Sequence, residues 1–275
     1  MRRLSISRAW EETRTRLGSD GKLFTTVALA LIALPSAVST LVNPNGGMTG
    51  STGSPGSGLV TLVMSLVALV GQLAIIRLAI GPSVSVGGAI GHAAGRALPY
   101  IGSILLLVVG LFLAALPFGV VLTMMGASFE RGAEQLPPGA WIPALLFFAL
   151  LIYVATRMLM TSSVASAEAA GPIKILKRSW ELTRGNAGRL LAFLLLFLIA
   201  LVVVLSAVAV MVGLLANALF GEIEPLSAGA LFVGLIQGLI SAAATTVFAV
   251  MLARMYVQLS GPADAPEVTV PHSGT

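Results

Sequence analysis

The sequence predicts an all-α polytopic membrane bundle. It has six transmembrane helices, cytoplasmic interfacial amphipathic helices, and an internal repeat of three helical hairpins. Three observations carry this reading. Hydrophobic residues make up 57% of the 275 and charged residues only 10%, with a mean hydropathy of +0.98. A soluble fold needs about 25% charged residues to coat its surface. Apolar runs recur at lengths near the ~20 residues that cross a ~30 Å hydrocarbon core. All but one of the 16 basic residues fall on one side of the resulting topology. This composition excludes a disordered chain and a soluble enzyme on a small anchor. The runs are apolar all round, which excludes the alternating segments of a transmembrane barrel.

The predicted spans are Leu23–Val42, Leu59–Ile80, Tyr100–Met125, Trp141–Met160, Leu190–Leu215 and Ala230–Leu252. Arg2, Arg3, Arg8, Arg14, Arg16 and Lys22 precede the first span. Arg77 and Arg96 flank the second connection, and Arg157 through Arg189 the fourth. Arg254 closes the last span, and only Arg131 lies opposite, beside Glu130 and Glu134. Basic residues stay cytoplasmic during insertion, so both termini are expected on the cytoplasmic side. Ser36-Ala37-Val38-Ser39 has the small residues of a signal-peptide cleavage site. The long preceding stretch with Glu11, Glu12 and Asp20 argues against one. Residues 261–275, with three prolines, read as a disordered cytoplasmic tail.

A repeat runs through the chain. Arg8-Ala9-Trp10-Glu11-Glu12-Thr13-Arg14 matches Arg178-Ser179-Trp180-Glu181-Leu182-Thr183-Arg184 at five of seven positions. A weaker third copy places His92 where the others have tryptophan, and Arg96 stands 21 residues before Pro117 as Arg14 does before Pro35. The units, about 1–82, 83–165 and 166–260, would be parallel repeats around an axis normal to the membrane.

The second copy carries its own helix punctuation, Pro172 in the first turn and Gly185 beyond the last. Ile173, Leu176, Trp180 and Thr183 form an apolar stripe. Lys174, Lys177, Arg178, Glu181 and Arg184 form a basic one, with Lys177 and Glu181 as an i,i+4 pair. That is the pattern of a helix lying in the headgroup plane. Ser5–Leu17 is similar, with Ile6, Trp10, Thr13 and Leu17 on its apolar side and Arg14 on the other. Ser85–Arg96 has Gly87, Gly91 and Gly95 at a spacing that allows close packing or keeps the segment flexible.

The stretch Lys177 to Asn186, set between two long apolar runs, resembles the signature of a bacterial membrane-protein family. That family is named for the membrane domain of glycerophosphoryl diester phosphodiesterases, and related six-span integral membrane families share the feature. The resemblance covers about residues 140–255, and the first half only through the repeat. It implies a membrane domain. In enzymes of that name the catalysis belongs to a separate soluble barrel, so no catalytic residue carries over.

The residues themselves agree with a non-catalytic reading. No cysteine is present, the two histidines stand apart from carboxylates, and both aspartates lie outside the spans. No metal site, cofactor site or nucleotide fingerprint is expected, and no nucleic-acid partner. The candidate lipid-headgroup residues are Lys174, Lys177, Arg178, Trp180, Arg184, Trp10 and Arg14. Arg77, Arg157 and Arg254 would ring the inner mouth of the bundle, snorkelling to headgroups or meeting an anionic lipid. Gln72 and Gln237 are the candidate intramembrane polar contacts, and Gly234, Gly238 and Ala242 a close-packing face. The expected function is a membrane scaffold or lipid-interacting protein whose partners are anionic headgroups. A homo-oligomer is compatible with it. The alternative is a transporter or channel subunit for a small or lipidic solute. A cleft with converging polar groups between the spans would favour the alternative, and a closed apolar bundle the scaffold.

Overall fold

The computed structural model describes residues 4–44, 55–81, 85–126, 139–221 and 223–260. Arg2, Arg3, Glu130, Arg131, Glu134, Glu222 and the tail lie outside them. Every regular element among the described residues is helical: α1 (Ile6–Ser19), α2 (Gly21–Ala28), a π-turn (Leu29–Ala33), α3 (Leu34–Val42), α4 (Pro55–Ile80), α5 (Val86–Met124), α6 (Trp141–Met158), α7 (Thr161–Ala167), α8 (Pro172–Thr183), α9 (Ala187–Phe220) and α10 (Ala228–Ser260). Six stretches are long and apolar enough to cross a membrane, and they contain all six predicted spans or nearly all of each.

The first span is built from α2, the π-turn and α3. Pro35 has no N–H to offer the Leu31 carbonyl. Just before it the ladder loosens, and the Leu34 N–H reaches back five residues to the Leu29 carbonyl. Wide turns of this kind appear at single insertions in α-helices, often at functional sites.

One expectation needs correction. Ser85–Arg96 is not a separate interfacial segment, because α5 runs unbroken through it and through Pro99 and Pro117. Pro99 orphans the carbonyl of Gly95, which is exposed and free to meet water. At 1.5 Å per residue its 39 residues reach roughly 58 Å, about twice the hydrocarbon thickness. Nor do Gly87, Gly91 and Gly95 make a close contact, since a Cβ on any of them would meet open space. Ala89 and Ala93 are the buried positions of that turn.

The core gathers spans one, two and six. A Cβ on Gly238 would lie 2.5 Å from the Ala33 carbonyl oxygen, and one on Gly234 2.8 Å from that of Ala37. On the other side, a Cβ on Gly71 of α4 would meet the Leu31 side chain at 2.7 Å. The three helices approach until only hydrogen fits between backbones, as small residues permit in membrane bundles. Spans three and five bury almost nothing of their apolar length against the protein, and span four little more. They are the lipid-facing rim. Below them α7 is buried along its length, with Ser166 Oγ donating to the Leu73 carbonyl at 3.0 Å.

Candidate functional site: a helical collar and a cleft between the spans

The ends of the spans nearest the N-terminus are tied together by α1, α7 and α8. The face that α8 buries is Ile175, Ser179, Leu182 and Thr183. Of the expected apolar stripe, only Thr183 belongs to it. Ser179 donates its hydroxyl to the main-chain carbonyl of Arg157 at 2.9 Å, and Thr183 Oγ1 stands 3.3 Å from the same oxygen, with the Ser179 and Trp180 carbonyls at 3.0 and 3.1 Å. Small hydroxyl residues at i and i+4 let α8 lie close to the last turn of α6 and satisfy its frayed end. The Arg157 guanidinium lies against two neighbouring rings, 5.2 Å from Tyr153 and 5.0 Å from Trp180. Those rings meet edge to face at 5.7 Å. The rings attract the cation electrostatically, more strongly the less water is present. Its Nη2 donates to Tyr153 Oη at 3.2 Å, while Nε and Nη1 are buried without a partner.

Arg178 does not sit on the free basic stripe. Its Nε pairs with Glu168 Oε1 at 3.0 Å, and its Nη1 stands 3.9 Å from Glu181. The expected Lys177–Glu181 pair is absent among the described residues, and Arg178 takes its place. Tyr256 Oη, from buried α10, donates to the same Glu168 oxygen at 2.9 Å. Glu168 therefore joins α8 to α10, a role the sequence reading missed. Glu11, matched with Glu181 by the repeat, is exposed and forms no ion pair with a described residue.

Beyond these contacts α8 leaves Ile173 73% and Trp180 38% exposed. Lys174, Lys177 and Arg184 are exposed beside them. In α1, Ala9 and Thr13 are buried and Thr13 Oγ1 reaches Met251 Sδ at 3.5 Å, while Trp10 is 53% exposed and Arg14 is free. Asn186 follows the left-handed Gly185 and accepts from the Leu4 N–H at 3.1 Å. Arg189 donates to the Leu4 carbonyl at 2.9 Å, and Gln258 Oε1 accepts from the Ser5 N–H at 3.2 Å. The chain's beginning is thus strapped between α9 and α10. His92 donates Nε2–H to the Ser166 carbonyl at 2.9 Å, an acceptor that fixes its tautomer.

The three span-end arginines have different surroundings. Arg157 is clasped by rings, Arg254 donates to the Ala79 carbonyl, and half-buried Arg77 pairs with no described residue.

Between spans one, two, three and six lies a cleft of about 420 Å³, lined among others by Ser36, Ser39, Thr61, Ser65, Gln72, Tyr100, Ser241 and Thr245. A smaller cavity of about 290 Å³ adjoins it against α9 and shares Gln72, Ser241 and Thr245. Gln237, one turn from Ser241, lines neither. A third cavity, about 710 Å³ between α5 and α6, is walled by apolar side chains on the lipid-facing rim and by Thr123.

The fold and these two places define a polytopic α-helical membrane protein with a docked helical collar at one end of its spans. Residues 137–268 match the family described as the membrane domain of glycerophosphoryl diester phosphodiesterase. The similarity covers α6 through α10, where the collar motif lies, and no phosphodiesterase catalytic domain is matched. No curated protein and no solved structure matches the chain.

Proposed function

We propose that this is a non-catalytic protein of a bacterial inner membrane whose α1 and α8 hold anionic lipid at the cytoplasmic leaflet. The observation that carries the reading is the division of α8 into separate surfaces. One is docked on α6. The other presents Ile173, Trp180, Lys174, Lys177 and Arg184 outward. Docking orders the helix in advance, so headgroup binding does not have to meet the cost of folding it. Each basic group at an anionic surface contributes about 1 kcal/mol, less as salt rises. The variant Lys174→Gln/Lys177→Gln/Arg184→Gln, purified in nanodiscs of mixed phosphatidylglycerol and phosphatidylethanolamine, should lose most of the bound anionic lipid seen by native mass spectrometry. Unchanged anionic lipid would overturn the reading.

A repeat relating α1 to α8 has support in the collar. Thr13 and Thr183, aligned by the repeat, are both buried, and they reach α10 and α6, each an even-numbered span. Orientation rests on the basic residues. Ser179 is fully buried, so a cysteine there would be silent from either side. Exposed Lys177 and Glu224 are the informative positions. An impermeant thiol reagent on intact cells should label Glu224→Cys and spare Lys177→Cys until the membrane is permeabilised. The reverse pattern would invert the topology.

The cleft favours a second reading, that the protein takes up a small or lipidic solute between its spans. Polar groups converge there as a closed scaffold would not require.

A further inference from the structure

The two adjoining cavities meet at Gln72, Ser241 and Thr245. A hydroxyl on a membrane helix ordinarily turns back to the carbonyl one turn earlier, because hydrocarbon offers no other partner. Thr246 does this, donating to Ala242 at 2.7 Å. Its neighbours Ser241 and Thr245, on the cavity side, form no side-chain hydrogen bond with any described residue, and neither does the Gln72 carboxamide. Three unspent polar groups therefore converge at one depth. Gln72 lies five residues inward of Arg77 on α4, roughly 7.5 Å toward the bilayer centre.

No charged residue lines either cavity. A phosphate or ammonium group at this depth would find no countercharge, and burying an unpaired ion is strongly unfavourable. The occupant must be neutral. The cavities also differ in character. The larger adds hydroxyls such as Ser36 and Tyr100, and the smaller is walled by Phe197, Leu201 and Phe248. A molecule filling both has a hydrogen-bonding head and an apolar tail.

We infer that this cleft binds an uncharged lipid with a hydroxyl and ester head, of the diacylglycerol class. The head meets Gln72, Ser241 and Thr245, and a chain runs along α9. The inference rests on the solute reading of the cleft and names its ligand class.

The test uses the full chain in nanodiscs. A diacylglycerol carrying a photoactivatable diazirine in one acyl chain is compared with the corresponding phosphatidylglycerol, and crosslinks are mapped by mass spectrometry. Diacylglycerol should label peptides of α9 and α10 saturably, and unlabelled diacylglycerol should compete. Gln72→Leu with Thr245→Val should weaken half-saturation about tenfold, the scale of one to two lost hydrogen bonds. Gln72→Asn should fall between this variant and the parent. Should Gln72→Leu with Thr245→Val fail to fold, Phe248→Trp, which fills the tail cavity, should abolish the same labelling. Equal labelling of these peptides by phosphatidylglycerol would overturn the inference. So would labelling insensitive to both variants, or no saturable labelling by diacylglycerol. The triple α8 variant should leave this labelling unchanged, so failure of the collar reading and failure of this one are distinguishable. Should both lipids fail to label while a water-soluble neutral solute protects a Ser241→Cys thiol from alkylation, the solute reading stands and the lipid class falls.

Discussion

Gly238→Leu is expected to be the most damaging single substitution in the chain. A Cβ there would sit 2.5 Å from the Ala33 carbonyl oxygen, which is backbone and cannot rotate away. The whole first span would have to move off α10. Overpacking a well-filled core costs about 1–3 kcal/mol or more, and the site joins the two most intimately packed spans. Loss of at least 3 kcal/mol, read as collapse of the folded yield in detergent, is the expected result. Gly213→Ala is the matched control, because a Cβ there meets nothing within 4 Å. On α9 it should be neutral, or stabilising by up to about 1 kcal/mol from helix propensity. Equal tolerance of the two substitutions would show that spans one and six are not in backbone contact.

Glu168→Leu should be the largest loss within the collar. The carboxylate accepts from Arg178 Nε and Tyr256 Oη at 3.0 and 2.9 Å. Both ion-pair side chains keep about a quarter of their surface in solvent, 27% and 22%, so the Coulombic part is screened. The hydrogen bonds to a charged group account for most of an expected loss of about 2 kcal/mol. Tyr256→Phe removes one bond and should cost about 1 kcal/mol. Thermal unfolding of the single and double variants checks this, since Glu168 and Tyr256 should couple rather than add. Full additivity would mean that Glu168 and Tyr256 act separately.

The spans were legible because hydrocarbon demands length and apolarity together, and no other element of this chain satisfies both. The tandem Arg-x-Trp-Glu-x-Thr-Arg pattern likewise marked α1 and α8. What the pattern could not show was which face of α8 docks. Thr183 belongs to the expected apolar stripe and Ser179 to neither stripe, yet both hydroxyls face the Arg157 carbonyl. Helical periodicity finds apolar stripes, and here the docking surface is half hydroxyl. Glu168 was missed because its partners stand ten and 88 residues away, beyond any helical spacing. Ser85–Arg96 was set apart from the third span as a weak copy of the interfacial segments, but the exposed Gly95 carbonyl tolerates Pro99 and α5 continues. Gln72 was noted as a polar residue in a span. That Ser241 and Thr245 leave their hydroxyls free beside it depends on rotamers that no sequence spacing encodes.

The strap at the start of the chain bears on biosynthesis. Leu4 meets Asn186 and Ser5 meets Gln258, contacts between residues 182 and 253 positions apart. At 5–20 residues per second, roughly 10–50 s separate the emergence of Ser5 from that of Gln258. Until α10 is made, Ser5 and Thr13 lack the partners that hold them in the finished fold. A helix made before all six spans therefore finds its seat only after the sixth has been made.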